Sequence, residues 1–186
     1  MVCSSSQMYN IAMRIFILGG QSLSNREWVL EIKESINDSF TTVDVIDYEH
    51  WKKGEGRADV DLESSRFIEK VNSLPEDYMI FAKSIGTVIF LNSLSRLKKL
   101  PTKVVMVGVP LNVAKEQGYD FEKLKEVTEF PIAIHQKKND PFSDYENLRV
   151  LEGGMVKVNV YPCLNEPEND HHYANMETVG GIILGS

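Results

Sequence analysis

The sequence predicts an α/β protein with a three-layer fold, in which a mostly parallel six-stranded sheet has helices on both faces. Two observations support this prediction. Short apolar runs alternate along the chain with segments whose apolar residues recur at helical spacing, which is typical of strands joined by crossover helices. Four of the runs contain almost no polar residue, as strands covered on both faces require; they are residues 13–18, 78–82, 103–107 and 132–135.

The elements follow one another in a regular order. Strands are predicted at residues 13–18, 42–47, 78–82, 103–107, 132–135 and 156–160. Helices are predicted at residues 24–36, 62–71, 85–100, 121–127, 145–151 and 173–184. The first helix starts with the capping-box pattern Ser24-Asn25-Arg26-Glu27, and Gly180-Gly181 predicts an interruption of the last one. The sixth strand alternates valines with Lys157 and Asn159, which predicts one face exposed to water.

Length and composition limit the possible function. The 186 residues fit one domain, expected at 12–186 after a flexible tail at 1–11. The net charge of −7 leaves no basic surplus, which argues against nucleic acid or an anionic membrane as the main partner. Cys3 and Cys163 form no zinc or redox motif and favour a reducing compartment. No signal peptide or membrane span is recognisable, so we expect a cytoplasmic protein. With nucleic acid and membrane set aside as partners, we expect a small-molecule substrate.

The segment Tyr78–Thr87 carries the most informative functional signal. A buried strand runs directly into Lys83-Ser84-Ile85-Gly86, and an apolar helix pattern follows with no room for a loop. So tight a turn strains the backbone of the serine and lifts its hydroxyl clear of the sheet. It also needs small residues two positions away on either side, and Ala82 and Gly86 are small. The pattern is a variant of the Gly-x-Ser-x-Gly nucleophile elbow, so Ser84 is the predicted nucleophile.

Two further strand ends carry the groups that a serine nucleophile needs. Asp140 follows the fifth strand, and His171-His172 follows the sixth. Because the carboxyl ends of parallel strands lie at one edge of a sheet, we expect these side chains to meet Ser84 there. A serine hydroxyl is nearly inert near neutral pH until an imidazole takes its proton, and a carboxylate orients that imidazole. The chain order Ser…Asp…His is that of α/β-hydrolases.

On these motifs the sequence resembles the α/β-hydrolase family, in particular its small members without a large cap domain. The resemblance extends over about residues 13–184 and rests on Gly19–Ser22, Ala82–Thr87, Gly108–Leu111, Asn139–Pro141 and Asp170–Tyr173. It implies the strand order 2-1-3-4-5-6 and a catalytic triad of Ser84, Asp140 and His171. The implied activity is a serine esterase or thioesterase acting on a small acyl substrate, with no metal and no cofactor.

The resemblance also implies an oxyanion hole made of two backbone amides. One amide belongs to Ile85, the residue after the nucleophile. The other comes from the loop after the first strand, where Gln21 is the best candidate and Gly20 and Ser22 stay open. Removing one such donor from a hydrolase raises the barrier by roughly 3–4 kcal/mol.

The sequence departs from the family pattern at three places. Ala82 stands two positions before the serine in place of Gly, and Lys83 stands where the family often has His. We expect Lys83 to face solvent or to shape the entrance of the site. The first loop lacks the usual His-Gly pair, which favours an alternative: a hydrolase-fold protein that binds a ligand or partner without turnover. A flavodoxin-like phosphate binder using Gly19–Ser22 at a helix N-terminus is a further alternative.

Several assignments stay open at this point. Ser84 has the alternative role of a helix N-cap, Asp144 is a rival to Asp140, and His172 is a rival to His171. Trp51 either walls the acyl or leaving-group pocket or only anchors the long loop that contains it.

Other polar residues are interpreted as structural or solvated. His50 and His135 are expected to be structural, and the pairs Lys98-Lys99 and Lys137-Lys138 are expected at solvated loop ends. Asp170 and the two adjacent histidines form an alternative metal site. The chain supplies no further ligand at a convincing spacing, so no metal site is predicted.

Overall fold

The computed structural model describes residues 13–54, 56–127, 129–152, 158–164, 167 and 169–185. The predicted tail at 1–11, which includes Cys3, lies outside the described residues. Val156 and Lys157 of the predicted sixth strand also lie outside them. The division into a tail and one domain therefore stays a prediction.

A six-stranded sheet forms the centre of the fold. Its strands are β1 (Arg14–Leu18), β2 (Thr42–Val45), β3 (Tyr78–Lys83), β4 (Lys103–Val107), β5 (Ile132–Gln136) and β6 (Val158–Pro162). All pairings between neighbours are parallel, and the order across the sheet is β2-β1-β3-β4-β5-β6. The predicted fold class and strand order are therefore confirmed. The strand order reverses between β1 and β3, which brings the loops after these two strands side by side.

Helices connect the strands and cover the sheet. They are α1 (Ser24–Ile36), α2 (Glu49–Lys53), α3 (Val60–Asn72), α4 (Ile85–Ser93), α5 (Leu111–Glu116), α6 (Tyr145–Leu148) and α7 (Met176–Gly185). Right-handed crossovers lead outward through α1 and back through α3, which places these two helices on opposite faces. α7 packs beside α1 and α4 packs beside α3. Among the helices described, none is both long enough and apolar enough to cross a bilayer.

The burial of the strands follows their place in the sheet. Every residue of β3 is buried, as is all of β1 and β4 except their first residues. β6 lies at the edge, where Val158 and Val160 are buried while Asn159 and Tyr161 are exposed. The predicted wet face of the last strand is thus confirmed, because an edge strand is covered less completely than an interior parallel strand.

Two predictions about helix termini are wrong. α1 begins at Ser24 itself, and no side chain caps it; the Ser24 hydroxyl instead lies 2.8 Å from that of Ser22. α7 continues through Gly180-Gly181 without interruption. Gly180 is buried where α7 approaches Ser35 of α1. Packing between these helices offsets the cost of glycine in a helix, which is only about 1 kcal/mol per residue.

Candidate active site

Ser84 forms the whole connection between β3 and α4, since the strand ends at Lys83 and the helix begins at Ile85. Its backbone angles are φ 52° and ψ −120°, and it is the one non-glycine residue with positive φ among those described. Such a conformation costs of order 1–3 kcal/mol and persists only where the surrounding structure enforces it. Here the Ser84 amide donates to the Val107 carbonyl at 3.1 Å, which ties the turn to β4.

The start of α4 touches the end of β1. The Gly86 amide donates to the Gly19 carbonyl at 3.1 Å, and a Cβ on Gly86 would overlap the carbonyl oxygen of Leu18. Ala82, on the other side of the turn, is completely buried. The expected need for small residues around Ser84 therefore has a direct steric cause.

The Ser84 side chain is directed at an imidazole. Its hydroxyl makes no capping hydrogen bond to α4, and Ser84 Oγ lies 2.8 Å from His171 Nε2. His171 Nδ1 lies 2.7 Å from Asp140 Oδ2 and 3.0 Å from Oδ1. Because an ionised carboxylate only accepts hydrogen bonds, Nδ1 carries the proton. Nε2 is then free to accept the proton of the serine hydroxyl, which is the arrangement of a general base.

The structure separates the rival residues. Asp144 caps α6, accepting from the Asn147 amide at 2.7 Å. His172 lines the same cavity as Ser84, but its ring makes no hydrogen bond to Ser84 or Asp140 in the described part of the chain. The backbone amide of His172 instead donates to Asp170 at 2.7 Å.

Asp140 is buried, with 3% of its surface exposed, and is held by two donors besides His171. The Phe142 amide donates to Oδ1 at 3.0 Å, and the Tyr173 hydroxyl donates to Oδ2 at 3.0 Å. Burial and then the charge of Asp140 raise the pKa of Tyr173 far above its ordinary value, so the hydroxyl stays protonated and donates. Sequence reasoning noticed the aromatic residue after the histidines but assigned it no role.

Lys137 corrects a prediction. It was expected at a solvated loop end with Lys138, yet its side chain is completely buried directly after β5. Its ammonium lies 2.7 Å from Asp170 Oδ1, donates to the His172 carbonyl, and sits 4.9 Å from the ring centre of Tyr173. These partners offset the desolvation of the charge, and the bond to Lys137 lowers the pKa of the Asp170 carboxyl.

The buried lysine therefore forms hydrogen bonds to the residues on both sides of His171. Asp170 is engaged by this lysine, which argues against the alternative of a metal site with the adjacent histidines. Among the described residues, no group of three or more His, Cys, Asp or Glu side chains is arranged to hold a metal ion.

The predicted oxyanion residues lie at the same cavity. Gln21 and Ile85 both line it together with Ser84. Trp51 is only 3% exposed and does not line the cavity; its indole N–H donates to the Gln21 carbonyl at 3.1 Å. Trp51 thus lies in α2 and not in a long loop, and it contacts the loop after β1 instead of lining the pocket.

Lys83 does not face solvent, contrary to one of its two expected roles. It is 4% exposed, and its ammonium donates to Asn25 Oδ1 at 2.7 Å and lies 4.5 Å from the ring centre of Trp28. Lys83 and Asn25 both line the cavity of Ser84. The strand that precedes the nucleophile turns this side chain inwards, towards α1.

The cavity above Ser84 has a volume of about 440 Å³, within the range of small-molecule sites. Its apolar wall consists of Ile85, Pro110, Val113 and Phe142. The Phe142 ring also meets the imidazole of His171 edge-on, with centres 4.6 Å apart. The site therefore combines an aligned hydroxyl, imidazole and carboxylate with an apolar surface beside them.

A larger groove, of about 760 Å³, lies between β6 and α7 and shares no lining residue with this cavity. His135 lines it, and burial, with a smaller effect of Lys103, lowers the pKa of His135 to about 4. His50 is buried in α2. Neither histidine lines the cavity of Ser84.

Comparison with known proteins gives structural matches alone. No protein-family model and no curated protein sequence matches the chain. An α/β-hydrolase from the metagenome of Mar Chica lagoon sediments in Morocco superposes with a TM-score of 0.68 at 13% identity, covering 94% of this chain and 90% of its own. The N-formylmaleamic acid deformylase of Pseudomonas putida superposes with a TM-score of 0.67 at 9% identity, covering 93% and 92%.

A mouse α/β-hydrolase domain-containing protein is also similar. It gives a TM-score of 0.65 at 12% identity, covering 99% of this chain and 90% of its own. Matches at such low identity show a shared fold alone. The parallel sheet in the order 2-1-3-4-5-6 agrees with that fold. The chain has the fold of the α/β-hydrolase superfamily.

Proposed function

We propose that this chain is a serine hydrolase of the esterase or thioesterase type, acting on a small acyl substrate through Ser84, His171 and Asp140. One observation carries the proposal: an unbroken hydrogen-bond path runs from the Ser84 hydroxyl through His171 to Asp140, with links of 2.8 and 2.7 Å. The strained elbow supports it, because backbone strain of this kind clusters at functional sites.

In the proposed first step, Ser84 Oγ attacks the acyl carbon while its proton passes to His171 Nε2. Asp140 stabilises the imidazolium that forms, and the backbone amide of Ile85 binds the oxyanion. The tetrahedral intermediate collapses, and the leaving alkoxide or thiolate takes the proton from Nε2. Water, deprotonated by the same nitrogen, then attacks the acyl carbon of the acyl-enzyme. The second tetrahedral intermediate collapses to the acid, and the proton on Nε2 passes to Ser84 Oγ as the acyl–oxygen bond breaks.

The cavity favours a short acyl group. Its volume of about 440 Å³ fits a small molecule, and its apolar wall suits an alkyl or aryl chain next to the nucleophile. Similar folds that are named as hydrolases and as a deformylase agree with acyl transfer to water, but they do not identify the substrate of this chain.

The test uses p-nitrophenyl esters with acyl chains of increasing length. The parent protein is expected to hydrolyse the short esters, and Ser84→Ala is expected to lose at least about a thousandfold in kcat, because the covalent route is gone. Ser65→Ala is the matched control: Ser65 lies on α3 and does not line the cavity, and its hydroxyl donates to the Asp61 carbonyl and accepts from Arg96 at 3.4 Å. Hydrolysis by Ser84→Ala as fast as by the parent would refute the proposal.

A fluorophosphonate probe separates the proposal from its main alternative. If the proposal holds, the probe labels the native protein at Ser84, and mass spectrometry locates the adduct on that residue. If the parent protein unfolds cooperatively on heating, and is therefore folded, but is not labelled, the result favours the alternative of a hydrolase-fold protein that binds without turnover.

A further inference from the structure

Three aromatic residues, Tyr48, His50 and Trp51, form what we call the aromatic clamp, which lies against the loop after β1. The Tyr48 hydroxyl donates to the Gly19 carbonyl at 3.1 Å. His50 Nε2 lies 2.6 Å from the Gln21 carbonyl oxygen, and Trp51 Nε1 donates to the same oxygen at 3.1 Å. A carbonyl oxygen only accepts, so the proton of His50 must be on Nε2. The clamp thus makes three hydrogen bonds to two carbonyls of this loop.

The three clamp residues are buried and pack against one another. Their side chains are 0%, 4% and 3% exposed in chain order. Their rings pack on one another, with centres 4.4 Å apart for Tyr48 and Trp51 and 5.6 Å apart for Tyr48 and His50. Gly19 completes the packing, because a Cβ there would meet the Trp51 ring at 2.8 Å.

These hydrogen bonds fix the direction of the loop's amides. The described chain contains no cis peptide bond, and in a trans peptide the N–H of one residue points opposite to the carbonyl of the residue before it. The Gln21 carbonyl, held by His50 and Trp51, therefore turns the Ser22 amide away from the clamp. The Gly19 carbonyl is shared between Tyr48 and the Gly86 amide of α4, so it anchors the start of the loop. Gln21 and Ser22 line the cavity of Ser84, whereas none of the clamp residues does.

We infer that the aromatic clamp is the positioning device of the oxyanion loop: by holding the Gln21 carbonyl on its own side, it directs the Ser22 amide into the cavity, towards the acyl oxygen. The inference rests on the proposed function and refines it, because Gln21 was the preferred donor on sequence grounds. Ile85 supplies the amide on the other side of the site. The clamp residues touch no substrate and act through the loop alone.

Burying His50 carries an energetic penalty. With its proton on Nε2, His50 has an acceptor at Nδ1, and this buried atom has no hydrogen-bond partner among the described residues. Leaving a buried acceptor unpaired destabilises a protein, whereas an apolar side chain at this place would avoid the penalty. The polar contact that His50 gains in return is its hydrogen bond to the Gln21 carbonyl.

The test measures ester hydrolysis by variants that each remove one donor. Trp51→Phe and His50→Leu are expected to lower kcat about tenfold, less than the loss of a whole oxyanion donor, with KM within about twofold of the parent. Affinity for a trifluoromethyl ketone, which places an oxyanion at this position, is expected to fall by the same factor. Tyr48→Phe, which removes one oxygen atom only, is expected to show the same pattern if the larger changes unfold the protein.

Two matched variants distinguish positioning from stability. His50→Gln keeps an N–H near the position of Nε2 and is expected to retain most of kcat. Tyr78→Phe removes another buried tyrosine hydroxyl, which donates to the Lys99 carbonyl at the other end of β3, and is expected to leave kcat unchanged. The inference is overturned if Trp51→Phe and His50→Leu slow the reaction no more than Tyr78→Phe, or if His50→Gln is as slow as His50→Leu. An inactive parent protein would overturn this inference together with the proposed function, whereas an active parent with unaffected clamp variants overturns this inference alone.

Discussion

Asp140 is buried among three hydrogen-bond donors. His171, the Phe142 amide and the Tyr173 hydroxyl share its two oxygens. The Tyr173 oxygen in turn accepts from the Lys137 amide at 3.2 Å. The carboxylate is therefore fixed in position by groups from the β5 loop and from the segment that carries His171.

Tyr173→Phe tests whether this support matters for the reaction. The change removes one donor to Asp140 while the ring keeps its packing, so the carboxylate orients His171 less firmly. We expect kcat for p-nitrophenyl esters to fall about tenfold, since one hydrogen bond to a charged group contributes about 1.5–3 kcal/mol and part of it is lost in the transition state. KM is expected to stay near the parent value.

Tyr78→Phe is the control for this prediction as well, because it removes a buried tyrosine hydroxyl far from Asp140. Urea unfolding of both variants shows how much stability each hydroxyl contributes. A Tyr173→Phe protein that is as stable and as fast as Tyr78→Phe would contradict the supporting role of the Tyr173 hydroxyl.

At the scale of elements, the contact between α4 and β1 sets how closely Ser84 approaches the oxyanion loop. Gly86 lies at this contact, and a side chain there has no room beside the Leu18 carbonyl. Gly86→Ala is expected to destabilise the fold by roughly 1–3 kcal/mol through overpacking, even though alanine favours a helix by about 1 kcal/mol. The shift of α4 is also expected to lower kcat, because the Ile85 amide moves with it.

Gly181→Ala provides the matched control within α7. A Cβ at Gly181 meets no atom within 4 Å, so the change gains helix propensity without a clash. It is expected to raise stability by up to about 1 kcal/mol and to leave kcat unchanged. Urea unfolding curves of the two variants measure both effects, and equal stability of Gly86→Ala and Gly181→Ala would contradict the steric explanation.

The sequence predicts those parts of this molecule that depend on chain order and residue size. The strand order followed from the family resemblance, and the approach of Ser84, His171 and Asp140 followed from their places at strand ends. The surroundings of Lys137 and Trp51 depend on how loops fold back, which local patterns do not encode. Lysine is usually exposed, so only tertiary partners such as Asp170 reveal that Lys137 is buried. Gly180-Gly181 illustrates the same limit, because helix packing overrode local propensity.

For the whole molecule, stability depends on pH through groups whose pKa differs between the folded and unfolded states. His135 lies in β5 with its ring stacked on Tyr161, 5.0 Å between centres, and its Nε2 has no hydrogen-bond partner among the described residues. Burial, and to a lesser degree the charge of Lys103, lowers its pKa from 6.5 to about 4. The folded state therefore favours the neutral ring, while the unfolded chain takes up a proton at higher pH.

The sign of the effect follows from proton linkage. Between pH 6.5 and about 4 the unfolded state binds more protons at His135 than the folded state does, so stability falls as the pH falls through this window. The contribution of one group is at most about 1.4 kcal/mol per pH unit. His135→Phe keeps an aromatic ring against Tyr161 but cannot be protonated, so it removes this contribution while other titrating groups still act on both proteins. Urea unfolding at several pH values is expected to show the stability of His135→Phe rising relative to the parent as the pH is lowered from 6.5 to 4. A difference between the two proteins that is the same at all these pH values would show that burial does not keep this histidine neutral.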